Sequence, residues 1–466
     1  MHVDSKKCEM FRGRHMRTYS PVMRCYGIEL SNEIYIKRDD LIPFAFGGNK
    51  ARIAEEFFAD MKRSGKNCMI GYGSTKSNLC RVLANMCYSK GIKCHIINSE
   101  ENADACTETN NSRLVKACGA TVHYCTKNNV AEIVEQVMLQ CEAEGYSPYY
   151  IYGNKFGKGN EAVPVQAYVK AHSEITGQYD YIFLATGTGM TQAGLLAGKR
   201  LNGTNEKIVG ISVARGKIQA TDTIREYLSA YYENQGLHID LDDEILVEDS
   251  YSEGYGLYTP YILDTIKLMY LTNGIPLDTT YTGKAFAGML SYIKENHIVG
   301  KRILFLHTGG TPLFWDNVDD IFRQRITRSM LEEFVREIDL ELPVPLSQRV
   351  DIEKYVDKLY EKAHIVAKVE NGKVVSAVIG YTENLTGNMS YITLVGTLPE
   401  GRHKGYAAEV LEEYMSDCKT KNIDGIHLHT ELNNASAICL YKKHGFTCCT
   451  DECEGNSRKL HMVCRF

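Results

Sequence analysis

The sequence predicts an α/β protein in two parts: two parallel-sheet subdomains over residues 1–330, then a smaller α/β domain over residues 331–466. Three observations predict it. Strand-like and helix-like patterns alternate from about residue 34 to 310. Several strand runs there are apolar without alternation, as strands covered on both faces are. They include Tyr181-Ile182-Phe183-Leu184, Ile208-Val209-Gly210-Ile211-Ser212-Val213 and Arg302-Ile303-Leu304-Phe305-Leu306. Periodicity then changes after about residue 320, and Leu342-Pro343-Val344-Pro345-Leu346 reads as a linker.

A chain of 466 residues is long enough for two or three cores. Its net charge of −5 advertises no broad basic surface for nucleic acid or anionic lipid. No apolar run is long enough to cross a bilayer. The basic N-terminus (Lys6, Lys7, Arg12, Arg14, Arg17) lacks the apolar core of a secretion signal, so a cytoplasmic location is expected. Among 16 cysteines, Cys68, Cys80, Cys87 and Cys94 fall on strand or helix patterns and read as reduced, buried thiols. Cys448, Cys449, Cys453 and Cys464 cluster without CxxC spacing, and no metal site is expected.

The first element, Ile34-Tyr35-Ile36-Lys37-Arg38, is a strand leading to Asp39-Asp40. A loop then delivers Phe46-Gly47-Gly48-Asn49-Lys50-Ala51-Arg52 to a helix, because Ile53, Phe57, Phe58 and Met61 recur at helical spacing. An ammonium in that first turn feels the positive end of the helix dipole and semi-enclosed walls. Both favour the neutral amine, the form that attacks a carbonyl. The paired glycines let backbone approach a flat ligand. Taken alone, Lys50 is a surface lysine after a turn; the later loops change that reading.

In parallel sheets, ligands bind beyond the carboxyl ends of strands. After the strand Cys68-Met69-Ile70-Gly71-Tyr72 comes Gly73-Ser74-Thr75-Lys76-Ser77-Asn78, opening a helix over residues 77–89. Hydroxyl and amide groups there suit a carboxylate, and plain capping by Ser77 is the alternative. Cys94-His95-Ile96-Ile97 is the next strand. After Leu184 comes Ala185-Thr186-Gly187-Thr188-Gly189-Met190-Thr191, a turn that cradles a phosphate with backbone N–H groups. A dinucleotide fingerprint fails, since Gln192 stands where a third glycine belongs. The following strand ends in Arg215 rather than a carboxylate, which counts against NAD and leaves a thin case for NADP. A P-loop fails too, for want of Gly-Lys-Ser/Thr. After Leu306 comes His307-Thr308-Gly309-Gly310-Thr311. A reactive lysine, a cup for one phosphate and a cup for a carboxylate together point to pyridoxal phosphate acting on an amino acid.

Residues from about 30 to 315 also resemble the D-cysteine desulfhydrase and 1-aminocyclopropane-1-carboxylate deaminase family, of the tryptophan synthase β-like fold (fold type II of the pyridoxal-phosphate enzymes). The matching blocks, in order, are Ile36-Lys37-Arg38-Asp39-Asp40-Leu41, Gly47-Gly48-Asn49-Lys50, Ser77-Asn78, residues 187–191, Gly254-Tyr255-Gly256, Tyr281-Thr282-Gly283-Lys284-Ala285 and His307-Thr308-Gly309-Gly310. The resemblance implies that Lys50 holds the cofactor as a Schiff base and shuttles the α-proton. It gives Asn49 the ring hydroxyl, Gly187, Thr188, Gly189, Met190 and Thr191 the phosphate, and Thr308 the ring nitrogen. Ser77 and Asn78 take the substrate carboxylate; Ser77, Tyr255 and Tyr281 line the reacting face. It implies a homodimer. A hydroxyl at the ring nitrogen leaves the pyridine largely unprotonated, which suits elimination. Three positions depart from the family. Thr282 stands where the ring-opening deaminases carry glutamate, matching the desulfhydrase branch. Leu79 replaces a polar residue and Lys76 a glutamine. Lys76 is read either as a contact for an acidic substrate or as a solvated loop lysine.

In the second part, a charged helix over residues 330–337 precedes a helix from about Asp351. Hairpin strands over residues 365–369 and 373–381 turn at Asn371-Gly372, and a strand covers residues 391–395. Pro399-Glu400-Gly401-Arg402-His403-Lys404-Gly405-Tyr406-Ala407-Ala408 opens a long amphipathic helix, offering N–H groups to phosphates. A strand over residues 425–430 and Asn434-Ala435-Ser436-Ala437-Ile438-Cys439-Leu440-Tyr441-Lys442-Lys443-His444-Gly445-Phe446 follow. These blocks resemble the GNAT family of acetyl-CoA-dependent N-acetyltransferases over residues 348–466. The resemblance implies that Arg402, His403, Lys404, Gly405, Tyr406 and Ala407 grip the coenzyme pyrophosphate. Asn434 contacts its arm, and Tyr441 protonates the departing thiolate. Tyr441 as a core aromatic is the plainer reading. Glu400 and Glu431 are candidate bases.

The expected function is a bifunctional enzyme: β-elimination and deamination of a small amino acid, plus acetyl transfer from acetyl-CoA. The alternatives are β-replacement or isomerisation yielding an amine for acetylation, or a sensor of an amino acid or acetyl-CoA.

Overall fold

The computed structural model describes residues 19–28, 31–100, 108–238, 245–251, 254–323, 325–342, 344–383, 385–449 and 459–466. The basic N-terminal cluster, Pro343 and Cys453 lie outside them. Contacts divide the chain into two compact units, Met1–Phe322 and Arg323–Phe466. No helix among the described residues is long and apolar enough to cross a membrane.

The first unit contains β1 (Val22–Arg24), β2 (Glu33–Arg38), β3 (Cys68–Gly73), β4 (Lys93–Glu100), β5 (Thr121–Thr126), β6 (Pro148–Tyr150), β7 (Tyr181–Thr186), β8 (Lys207–Ser212), β9 (Leu246–Glu248) and β10 (Arg302–His307). They form two sheets, ordered β1-β2-β10-β7-β8-β9 and β5-β4-β3-β6. Only β1 runs antiparallel to its neighbour. The continuous apolar runs occupy central strands: Phe183, Leu184, Val209, Ile303 and Phe305 are shielded on both faces. Helix Asn49–Arg63 buries Ile53, Phe57 and Met61, the stripe its spacing predicts.

A charged network inside the core aims the start of that helix. Asp39, directly after β2, accepts hydrogen bonds from Ser20 Oγ at 2.6 Å, from Arg52 Nε and Nη2 at 3.0 Å, and from the Tyr168 hydroxyl. Arg52 also meets Glu174 at 2.6 Å, which takes Lys37 at 3.1 Å. Removing one member of such a buried set costs about 3–5 kcal/mol, because a charge is left unpaired. Arg52 lies two residues beyond Lys50, so the network sets where that amine points.

The second unit contains β11 (His364–Glu370), β12 (Lys373–Tyr381), β13 (Met389–Thr397), β14 (Gly425–Glu431), β15 (Thr447–Cys448) and β16 (Lys459–Arg465), ordered β11-β12-β13-β14-β16-β15. Asn371 and Gly372 both take positive φ, 50° and 81°, as a tight hairpin demands. The one parallel pair among the described strands, β13 and β14, bonds only from Met389 with Gly425 to Ile392 with Leu428. Both strands continue past that point, so they diverge at their carboxyl ends. The linker reading of residues 342–346 does not hold. Leu342 and Leu346 pack on the cluster of Phe334, Ile338, Ala377 and Leu394 inside this unit, and that burial outweighs the turn-forming prolines.

Candidate active sites

In the first unit, the loops beyond β2, β3, β7 and β10 converge on Lys50. Asn49 N–H donates to the Thr308 carbonyl at 3.0 Å, and Asn49 Nδ2 to Thr191 Oγ1 at 2.9 Å. A Cβ on Gly48 would stand 2.7 Å from the Thr308 carbonyl oxygen, so only glycine permits this approach. A Cβ on Gly187 would lie 3.9 Å from the Tyr281 ring. The Tyr281 hydroxyl meets that of Tyr255 at 2.9 Å, and Tyr255 meets Ser74 Oγ at 3.1 Å. The lysine loop, phosphate turn, tyrosine pair and carboxylate loop thus form one connected wall.

Lys50 makes no hydrogen bond or ion pair with any described residue, and burial brings its pKa down to about 8. Desolvation disfavours the ammonium, so a usable share of neutral amine exists near neutral pH. Beyond β7, the amides of residues 187–191 have no backbone acceptor among the described residues. Gly189, at φ 89°, aims them outward at the start of helix Met190–Asn202. A partnerless buried amine beside a ring of free amides fits an aldehyde that carries a phosphate. The Thr308 hydroxyl likewise has no partner among the described residues.

Ser77 does cap its helix: Oγ accepts from Cys80 N–H at 3.2 Å, and its own proton goes to no described acceptor. Asn78 Oδ1 accepts from Asn111 at 3.0 Å and Arg81 at 3.3 Å, which leaves its amide NH2 for a ligand. Lys76 is half-buried, and its ammonium would stand 3.1 Å from a Cβ on Gly256, beside the Tyr255 loop. Leu79 is core, 4% exposed. Thr282 donates Oγ1–H to Asp278 at 2.7 Å. Burial and the neighbouring Tyr255 push the Tyr281 phenol well up, so it stays protonated.

Two supporting residues escaped the sequence reading. Asp278 accepts from the N–H groups of Thr280, Tyr281 and Thr282 at 2.9, 2.8 and 3.1 Å and so fixes Tyr281. An Asp before Thr-Thr-Tyr is a turn signal that was available. Lys284, wholly buried, donates Nζ–H to the Gly254 carbonyl and holds the Tyr255 loop. Nothing local reveals that contact.

In the second unit, the two predicted coenzyme segments follow the strands that diverge. Beyond β13, His403 at φ 59° and Gly405 at φ 84° bend residues 402–407 into a turn. The amides of residues 403–407 have no backbone acceptor among the described residues. The side chains face away into pairs: Arg402 with Glu341 at 2.7 Å, Lys404 with Glu370 at 2.9 Å, and Tyr406 with Glu370. Beyond β14, Asn434 Oδ1 caps helix Ala435–Lys443 by accepting from Ala437 N–H at 3.3 Å. Tyr441 is 5% exposed and packs on Phe446, as a core aromatic would. Its hydroxyl has no described partner, and burial raises its pKa, keeping the phenol protonated. Glu400 is tied to Lys373 at 2.8 Å and Glu431 to Arg349 at 3.2 Å.

Residues 16–309 match the family described as pyridoxal-phosphate dependent enzyme, more than half of the chain. The chain belongs to the pyridoxal-phosphate dependent enzymes. Residues 329–446 match the acetyltransferase (GNAT) family and make the C-terminal part a GNAT domain. D-cysteine desulfhydrase of Yersinia pestis (strain Pestoides F) is 31% identical over 294 residues, 61% of this chain and 88% of that protein. D-cysteine desulfhydrase of Klebsiella pneumoniae (strain 342) gives the same identity over the same length and shares. A crystal structure described as an ACC deaminase homologue superposes with a TM-score of 0.57 at 26% identity, covering 68% of this chain and 99% of that one. Pyridoxal-phosphate dependent enzymes of fold type II share the parallel-sheet architecture of the first unit.

Proposed function

We propose that the chain is a bifunctional enzyme. The first part eliminates the β-substituent and amino group of a small amino acid of the D-cysteine type. The second transfers acetyl from acetyl-CoA to an amine. The observation that carries the first half is Lys50: a half-buried amine with no partner among the described residues, joined through Asn49 to Thr191 in the glycine- and threonine-rich turn.

Pyridoxal phosphate, when bound, supplies an aldehyde for the amino group and a conjugated ring that takes up electrons freed at the α-carbon. Lys50 Nζ then removes the α-proton. Ser77 Oγ–H and the Asn78 NH2 group hold the substrate carboxylate and fix which α-bond faces the lysine. Tyr281, protonated and hydrogen-bonded to Tyr255, holds a proton at Oη for the departing β-group. For D-cysteine, one water is consumed and pyruvate, sulfide and ammonia are formed. Thr282 in place of a carboxylate favours elimination over cyclopropane opening. In the second part, the amides of residues 403–407 bind the coenzyme pyrophosphate, and Tyr441 Oη gives its proton to the departing thiolate. A reducing cytoplasm suits the thirteen described cysteines, all free, and a homodimer is part of the proposal.

The test is a screen of D- and L-amino acids with the full chain, scored for keto acid and sulfide, and a parallel screen of amines scored for coenzyme A release. Keto acid from D-cysteine and thiol release with some amine support the reading. Cofactor-loaded protein that yields no keto acid from any β-substituted amino acid overturns the first half. Acetyl-CoA binding without transfer to any amine overturns the second.

A further inference from the structure

The first unit buries a cluster that this chemistry does not use. Cys68 opens β3, His95 lies in β4, and Cys141 lies in helix Val130–Ala143. Their two Sγ atoms and a ring nitrogen fall within 4.8 Å of one another. The sulfurs are 3.5 Å apart, and all three residues have no exposed surface. His95 Nδ1 faces His123 Nε2 at 3.0 Å, with the rings stacked. His95 Nε2 is buried and has no hydrogen-bond partner among the described residues.

We propose that Cys68, Cys141 and His95 bind a zinc ion through two thiolates and Nε2. Thiolates bonded to zinc at about 2.3 Å in a tetrahedral site stand about 3.8 Å apart, so these sulfurs need separate by only a few tenths of an ångström. Sulfur and imidazole select zinc over magnesium or calcium. His123 accepts the Nδ1 proton and so fixes the tautomer that leaves the Nε2 lone pair for the metal. Each thiol gives up its proton on binding, and two protons are released per zinc. Two thiolates cancel the double charge of the ion, so the buried site is neutral and needs no further anion. Cys68 begins β3, while the carboxylate loop follows its other end at Gly73. The ion is therefore a brace behind the sheet, tying helix Val130–Ala143 to β3 and β4.

The experiment uses full-length protein, purified under reducing conditions, stripped with a chelator and titrated with cobalt(II), then zinc. Expected is one equivalent per chain with thiolate-to-cobalt charge transfer and the strong visible bands of a tetrahedral site, bleached by zinc and absent from Cys68→Ser and Cys141→Ser. Absorbance of bound pyridoxal phosphate checks that each variant is folded. Because a core variant can misfold, X-ray absorption on the zinc-loaded wild type is decisive: two sulfurs in the first shell support the site. A shell of nitrogen and oxygen only, cobalt bands that persist in both variants, or a Cys68–Cys141 disulfide in the reduced preparation overturns it.

Discussion

Lys50 and Tyr441 are the chemically loaded side chains of the two units, and burial acts on them in opposite senses. Desolvation disfavours whichever form is charged. It brings the lysine down to about 8 and drives the tyrosine up. Near pH 7 the phenol is neutral and able to give a proton, while about a tenth of the lysine is neutral amine able to take one. In the proposed function, a single physical cause thus equips one unit with a base and the other with an acid. Neither result needs a charged neighbour, since desolvation is the one cause acting on each.

The largest test of this contrast removes the groups themselves. Lys50→Ala is expected to abolish the visible absorbance of lysine-bound cofactor and lower keto-acid formation by at least about 10³-fold. Acetyl transfer should be unchanged. Tyr441→Phe should do the reverse, lowering the turnover of acetyl transfer by about 10²-fold while KM for acetyl-CoA holds. A Tyr441→Phe enzyme with full turnover would return Tyr441 to a purely packing role.

The pH response separates the two next. In the proposed function, attachment of pyridoxal phosphate to the apoprotein needs neutral Lys50. Below its pKa of about 8 the neutral fraction falls about tenfold per pH unit, so the attachment rate should rise about 50-fold from pH 6 to pH 8, double once more and then level. A rate still climbing toward pH 10 would mean that Lys50 keeps an ordinary lysine pKa. Stopped-flow absorbance reads this directly.

Much of this was legible in the sequence because it is local. Continuous apolar runs gave the central strands, and a 3.6-residue stripe placed Lys50 in a first turn. The turns of residues 187–191 and 402–407 announced themselves by glycine and position. What escaped depends on distance along the chain. Lys284 looks like an intruder on the apolar face of Ala285, Phe286 and Ala287. Only the folded chain shows its partner, the carbonyl of Gly254. The cluster of Cys68, His95 and Cys141 has no motif spacing, because two strands and a helix bring it together. Leu342 and Leu346 read as linker among prolines, yet they bury against Phe334.

The two helix-opening turns also differ in what surrounds them, and alanine substitution exposes it. A Cβ on Gly189 would meet Ile224 Cγ1 at 2.9 Å, whereas one on Gly405 meets nothing within 4 Å. Both positions have positive φ, a strain of about 1–3 kcal/mol for alanine. Gly189→Ala therefore combines strain with a clash and should weaken pyridoxal phosphate binding more than Gly405→Ala weakens acetyl-CoA binding. Titration of each ligand measures the pair. Equal losses would mean that Ile224 yields freely and the first turn is as open as the second.

The smallest expected effect concerns Asn434, whose two ends have different work. Its Oδ1 caps helix Ala435–Lys443 and also accepts from Ser436 Oγ at 3.1 Å. Any contact with the coenzyme must therefore come from its NH2 group. Asn434→Asp keeps the cap oxygen and places a negative charge at a helix N-terminus, where it is welcome. Thermal stability should hold. Acetyl-CoA affinity should fall by a factor of roughly 2–10, the worth of one hydrogen bond. Asn434→Ala should lose both, with about 1 kcal/mol of stability going with the cap. If the aspartate variant binds acetyl-CoA as tightly as the parent, Asn434 is a helix cap alone, and the diverging strands β13 and β14 hold the coenzyme without it.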